Sequence, residues 1–144
     1  MLSRPIGALF AALLIAAPLI AVPQDVPADK LVAKYTPLAG SEANAKALVD
    51  GLRNDTEVNL GAGSSSASFT PPTGKMGFGN VDNALALAEA SLKERGITDP
   101  TGEQLKAGLG GGTLSGQKVD GVLSMRAAGQ GWGQIAHTLG FKLG

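Results

Sequence analysis

The segment NVDNALALAEASLKERG limits what this chain can build more than any other. Val81, Ala84, Leu85, Ala88 and Leu92 recur at helical spacing. Asp82, Glu89, Lys93 and Glu94 fall on the opposite face. An apolar stripe of that width has to be buried against other elements, so the rest of the chain must supply a second layer. Asn80 reads as the N-cap of this helix. Gly96 reads as the left-handed residue after its end, with Ile97 folding back on the last turn. Glu89 and Lys93 are in the favourable order for an i, i+4 pair, worth about 0.3 kcal/mol.

The remaining segments supply that layer. Ser41 is a suitable N-cap for a helix over 41–53, with Glu42 in the first turn and Ala45, Leu48, Val49 and Leu52 on one face. Thr101-Gly102-Glu103-Gln104 fits a capping box, opening a short helix to about Leu109. Asp120 reads as the cap of a final helix pair, 121–128 and 131–139, with Val122, Leu123, Met125, Ile135, Ala136 and Leu139 inward. Between these, Thr56–Leu60 and Ala67–Thr70 alternate with period two around GAGSSS, a β-hairpin that Pro71-Pro72 terminates. Thr113–Val119 fits a second small hairpin. Ala28–Tyr35 reads two ways: two helical turns with Leu31, Val32 and Tyr35 on one side, or a linker on the surface. The predicted fold is a small, mainly α-helical α+β domain with about four to five helices and one or two short hairpins. It shows no fixed-period repeat.

The first residues concern destination rather than fold. Arg4 precedes an almost wholly apolar run, Ala21 is a small residue suited to cleavage, and charge returns at Asp25. That is the pattern of a secretory signal peptide. The rival reading is a retained anchor. The run from Ile6 to Val22 is 17 residues, short of the roughly 20 that span a bilayer, and Pro18 interrupts it. No other segment is apolar enough to span. The expected division is a signal peptide at 1–21, a Pro-rich N-terminal segment or linker at 22–40, and a compact helical domain at 41–144. The expected location is the periplasm or the exterior. Cleavage leaves 123 of the 144 residues, with 11 basic and 12 acidic side chains because Arg4 departs. A net charge of −1 draws no polyanion over long range. The chain has no Cys, which excludes disulfides, thiolate chemistry and Cys-based metal sites.

GQGWGQIAHTLGFKLG, near the C-terminal end, holds the only Trp and the only His, and superficially fits a helix-turn-helix. A DNA reader needs a second helix in the groove and phosphate-neutralising cations. Residues 131–139 carry Gln134, His137 and Thr138 but no Lys or Arg, so nucleic acid is not an expected partner. One His without Cys makes no zinc site unless carboxylates join it, and no Ser lies in a G-x-S-x-G elbow to use His137 as its base. TGKMGFGN lacks the first Gly and the final Ser or Thr of a Walker A loop, and Gly77-Phe78-Gly79 lacks the third Gly of a dinucleotide fingerprint. No metal, cofactor or catalytic residue is therefore expected. The contact candidates are Met76 and Phe78 in the Gly-rich loop, Trp132, and His137. Exposed apolar residues in loops often mark interfaces.

FTPPTGKMGFGNVDNAL, GITDPTGEQLKAGL and GVLSMRAAGQGWGQIAHTLGFKLG resemble stretches of a group of small, uncharacterised exported proteins of Gram-negative bacteria. The likeness runs from about Leu38 to Gly144. It implies export and a compact domain, and no activity. The expected function is a non-enzymatic binding protein of the periplasm or cell envelope, its partner an envelope protein. The alternative is a periplasmic hydrolase working through carboxylates or His137.

Overall fold

The computed structural model describes residues 26–61 and 66–140. The signal peptide expected at 1–21, its cleavage near Ala21 and the rival anchor lie outside the described residues, as do most of the GAGSSS loop and the last four residues of the expected 41–144 domain. Six helices and two antiparallel hairpins follow in chain order: α1 (Val26–Ala39), α2 (Glu42–Asn54), β1 (Val58–Leu60), β2 (Ala67–Phe69), α3 (Phe78–Glu94), α4 (Gly102–Gly110), β3 (Gly112–Leu114), β4 (Gln117–Val119), α5 (Val122–Ala127) and α6 (Trp132–Leu139). This is the mainly helical α+β domain expected.

Helix α3 is the hub. Its apolar stripe was the strongest pattern in the sequence, and it packs against each of the other five helices. Val81, Ala84, Leu85, Ala88 and Leu92 are all fully buried. Burying a Leu or Val side chain contributes about 1.5–3 kcal/mol, so this stripe is a large share of the core. Its C-terminal end is a Schellman motif: the Gly96 N–H donates to the Lys93 carbonyl, the Ile97 N–H donates to the Leu92 carbonyl, and Gly96 sits at φ +79°. The Glu89–Lys93 pair forms at 3.8 Å.

The start of α3 corrects the expectation. The helix begins at Phe78, and the N-cap is Gly77, with no side-chain cap bond. Asn80 is thus inside the first turn. Its side chain is used elsewhere, as the acceptor for the Trp132 indole N–H. Likewise Asp120 does not cap α5. Gly121 stands at the N-cap, because Gly121 must pass against the backbone that ends α4: a Cβ there would lie 2.2 Å from the Gly111 nitrogen and 2.3 Å from the Leu109 carbonyl oxygen. The Ser124 hydroxyl donates to the Gly110 carbonyl at 2.7 Å, completing the junction.

The N-terminal segment resolves in favour of a helix. From Val26 it is α1, which packs on α2 and α3 and places Leu31, Val32, Tyr35, Leu38 and Ala39 in the core. The linker reading fails for residues 26–39, and the helical domain starts there rather than at 41. Composition concealed this, because prolines at both ends of the segment read as a linker. Pro27 is in the first turn, where no amide donor is needed, whereas Pro37 lies inside the last turn and forgoes one backbone hydrogen bond, a cost that the packing of α1 on α2 and α3 offsets.

Other expected caps are present. The Ser41 hydroxyl accepts from the Asn44 N–H, and Thr101 with Gln104 closes the full capping box. In the first hairpin Val58 pairs with Phe69 and Leu60 with Ala67, and Val58, Leu60 and Ala67 point inward. In the second, Ser115 and Gly116 form a two-residue turn with φ of 51° and 81°, as a primed turn requires.

Candidate functional site

The N-terminal end of α3 carries Phe78 and Asn80 in its first turn and Asp82 just beyond it, and each side chain engages a different neighbouring helix. Phe78 is half-buried. The Arg53 guanidinium, on the last turn of α2, lies 3.7 Å from its ring centroid and also reaches the Met76 carbonyl at 3.5 Å. A guanidinium at that distance over a ring is a cation–π contact worth about 0.5–1 kcal/mol at an exposed site.

Asn80 leaves the helix on a different side from Phe78, since two helical residues are about 200° apart. Its Oδ1 accepts a 2.8 Å hydrogen bond from the Trp132 indole N–H. Trp132 opens α6 and is half-buried, packed on the edge of the core. The Arg126 guanidinium stands 4.6 Å from its ring. Arg126 is in turn held by the Gln130 carbonyl at 3.2 Å. Two half-exposed aromatic side chains, each faced by an arginine, thus flank one turn of one helix.

Asp82 looks to α1. Tyr35 is 1% exposed, and its hydroxyl donates to the Asp82 carboxylate, with the Asp82 carbonyl 3.0 Å away. Lys34 donates to the same carboxylate at 2.8 Å. Burial, and then the hydrogen bond to Asp82 and its charge, push the Tyr35 hydroxyl far above its ordinary value. Burial alone would raise the Asp82 carboxyl. The hydrogen bonds from Lys34 and Tyr35 outweigh it and hold the group below its usual range. Asp82 is therefore a fixed anion and Tyr35 a fixed donor, which is a structural tie rather than a proton-transfer pair. The sequence pattern placed Asp82 on the solvent face, and nothing in it pointed to Tyr35 as a partner 47 residues away.

The expected contact residues separate. Met76 is 6% exposed and belongs to the core, its N–H bonded to the Leu52 carbonyl at 3.2 Å. It is not a loop residue offered to a partner. The turn-containing segment that leads into α3 places it there. Phe78 and Trp132 remain at the surface, on either side of the α3 start. His137 is exposed on α6, but it is five residues from Trp132, about 140° round the helix. Among the described residues no group of three or more His, Asp or Glu comes together as a metal would need. No helix there is long and apolar enough to cross a membrane.

A shallow groove of about 340 Å³ lies between α1 and α3 beside Phe78, floored by Pro27, Leu31 and the Phe78 ring and edged by Lys30, Lys34 and Asp82. Comparison of the chain with protein-family models, with curated proteins and with solved structures finds no match in any of the three.

Proposed function

We propose that this is an exported binding protein of the periplasm or cell envelope, and that it meets its partner with the surface around the start of α3. The observation that carries the binding reading is the pair of half-exposed aromatics, Phe78 and Trp132, each stacked by an arginine and each anchored on the same helical turn. Trp and Arg dominate the energetics of protein interfaces, and rigidly held rings lose little entropy on contact. The export reading rests on the sequence pattern of residues 1–21 and on the resemblance to exported proteins.

Two measurements test this. After osmotic shock the protein is expected in the released fraction, shortened at its N-terminus; an intact N-terminus in the cytosolic fraction overturns the export reading. The purified protein, used to capture envelope proteins, is expected to lose its partner on Phe78→Ala or Trp132→Ala and to keep it on His137→Ala, with all three variants helical by circular dichroism. Capture that survives both aromatic substitutions overturns the site assignment.

A further inference from the structure

The C-terminal end of α3, away from Phe78 and Trp132, borders a different concavity. Two adjoining cavities, of about 360 and 210 Å³, share Ser91, Arg95, Thr138 and Leu139. The smaller is also walled by Val119 and Met125 and edged by Lys118 and Asp120, so α3, α5, α6 and the end of β4 meet there. Ser91 is 9% exposed, yet its hydroxyl has no hydrogen-bond partner among the described residues. The Thr36 hydroxyl, also inside a helix, donates back to the Val32 carbonyl at 2.7 Å. Ser91 makes no such bond and lines both cavities instead. A hydroxyl so buried costs free energy unless something in the cavity bonds it. The charges are unsatisfied too. Arg95 makes one side-chain hydrogen bond, to the Gln117 Oε1 at 3.5 Å. Lys118 and Asp120 stand in no ion pair among the described residues, with each other or with Arg95. Two cations and a carboxylate thus edge one cavity without pairing.

We infer that this cavity binds the free zwitterion of an aliphatic α-amino acid. Its carboxylate lies against Arg95, whose planar fork can donate to both oxygens, with Lys118 beside it and the Ser91 hydroxyl as a further donor. Its ammonium meets Asp120. The last turns of α3 and α6 border the same space, and helix C-termini favour positive charge. Its side chain covers Val119, Met125 and Leu139. A plain anion would leave Asp120 facing like charge, and a plain cation would leave Arg95 and Lys118 so. No aromatic side chain among the described residues lines either cavity, so a nucleobase has no ring to stack on. This site lies at the opposite end of α3 from the partner surface and stands independently of it.

The test is a titration of the ¹⁵N-labelled protein, followed by amide shifts. The probes are L-leucine, N-acetyl-L-leucine, which lacks the ammonium, and L-leucinamide, which lacks the carboxylate. L-Leucine is expected to shift the Ser91, Arg95, Lys118 and Thr138 amides, and each analogue to bind about fivefold more weakly or worse, the scale of one exposed charge pair. Asp120→Asn is expected to weaken L-leucine binding by a similar factor. Ser91→Ala is expected to weaken it about fivefold, the scale of one hydrogen bond. The same variant, without ligand, is expected to unfold at an unchanged or higher denaturant concentration, since Ala is the stronger helix former. A hydroxyl that served only the fold would do the reverse, lowering stability and leaving affinity alone. That result overturns the inference. So does L-leucine shifting other amides or none, either analogue binding as tightly as L-leucine, or Asp120→Asn having no effect. N-Acetyl-L-leucine binding as tightly would make this a site for simple anions.

Discussion

Tyr35 is the chain's one tyrosine, so its state can be read directly. Its folded value lies above the unfolded one, near 10. It contributes stability that is complete below about pH 10 and is lost as pH rises further. Asp82 has the opposite sign. Its folded value lies below the unfolded one, so its contribution is present above about pH 4 and lost as pH falls through the folded value. The native protein is expected to show no tyrosinate absorbance at 295 nm at about pH 10.5, where an unfolded tyrosine is mostly ionised. Absorbance should then appear together with loss of helix. Tyrosinate forming at about pH 10 in a fully helical protein would show that the Tyr35–Asp82 tie is absent. This tie was invisible in the sequence, because helical periodicity assigns a residue to a face and says nothing about which distant hydroxyl that face meets.

Among the elements, the sequence is legible where the chemistry is local. The Ser41 cap, the Thr101–Gln104 box, the Gly96 helix end and the period-two first hairpin all form as their residue types dictate. The sequence is not legible where tertiary contact overrides local preference. Asn80 and Asp120 are good caps by type, yet the helices begin at Phe78 and Val122. The close approach at Gly121 gives a test of that override. Gly121→Ala would drive a Cβ into backbone on the α4 side, and backbone cannot rotate away as a side chain can. The substitution is expected to destabilise by about 3 kcal/mol or more, the upper range of overpacking. Gly79→Ala meets nothing within 4 Å and is expected to be neutral or to stabilise by about 0.5 kcal/mol. Chemical denaturation of both variants checks this. Equal stabilities would mean that the α4–α5 junction is not packed as described.

For the whole molecule, the hub position of α3 makes the domain one cooperative unit. Its strong periodicity made it legible as the core, but its partners were not, least of all α1, whose prolines resembled a linker. Because α6 is tied to the α3 start through Trp132 and Asn80, indole fluorescence and far-UV circular dichroism are expected to report one coincident unfolding transition. An earlier fluorescence transition would mean that α6 detaches before the rest unfolds.

The candidate surface was only half legible. Phe78 and Trp132 stood out as isolated aromatics, whereas Met76 looked the same in sequence and proved to be core, because burial in a glycine-rich approach depends on where the loop runs. What the fold adds is that one helical turn joins the two aromatics. The central claim, that this turn is where the partner binds, is tested most directly by photo-crosslinking in intact cells. A crosslinking amino acid is placed at Phe78, at Trp132, and at exposed Gln117 by the far end of α3. The expected result is a common adduct from the first two positions and none from Gln117. Adducts from Gln117 alone, or different adducts from Phe78 and Trp132, would contradict it.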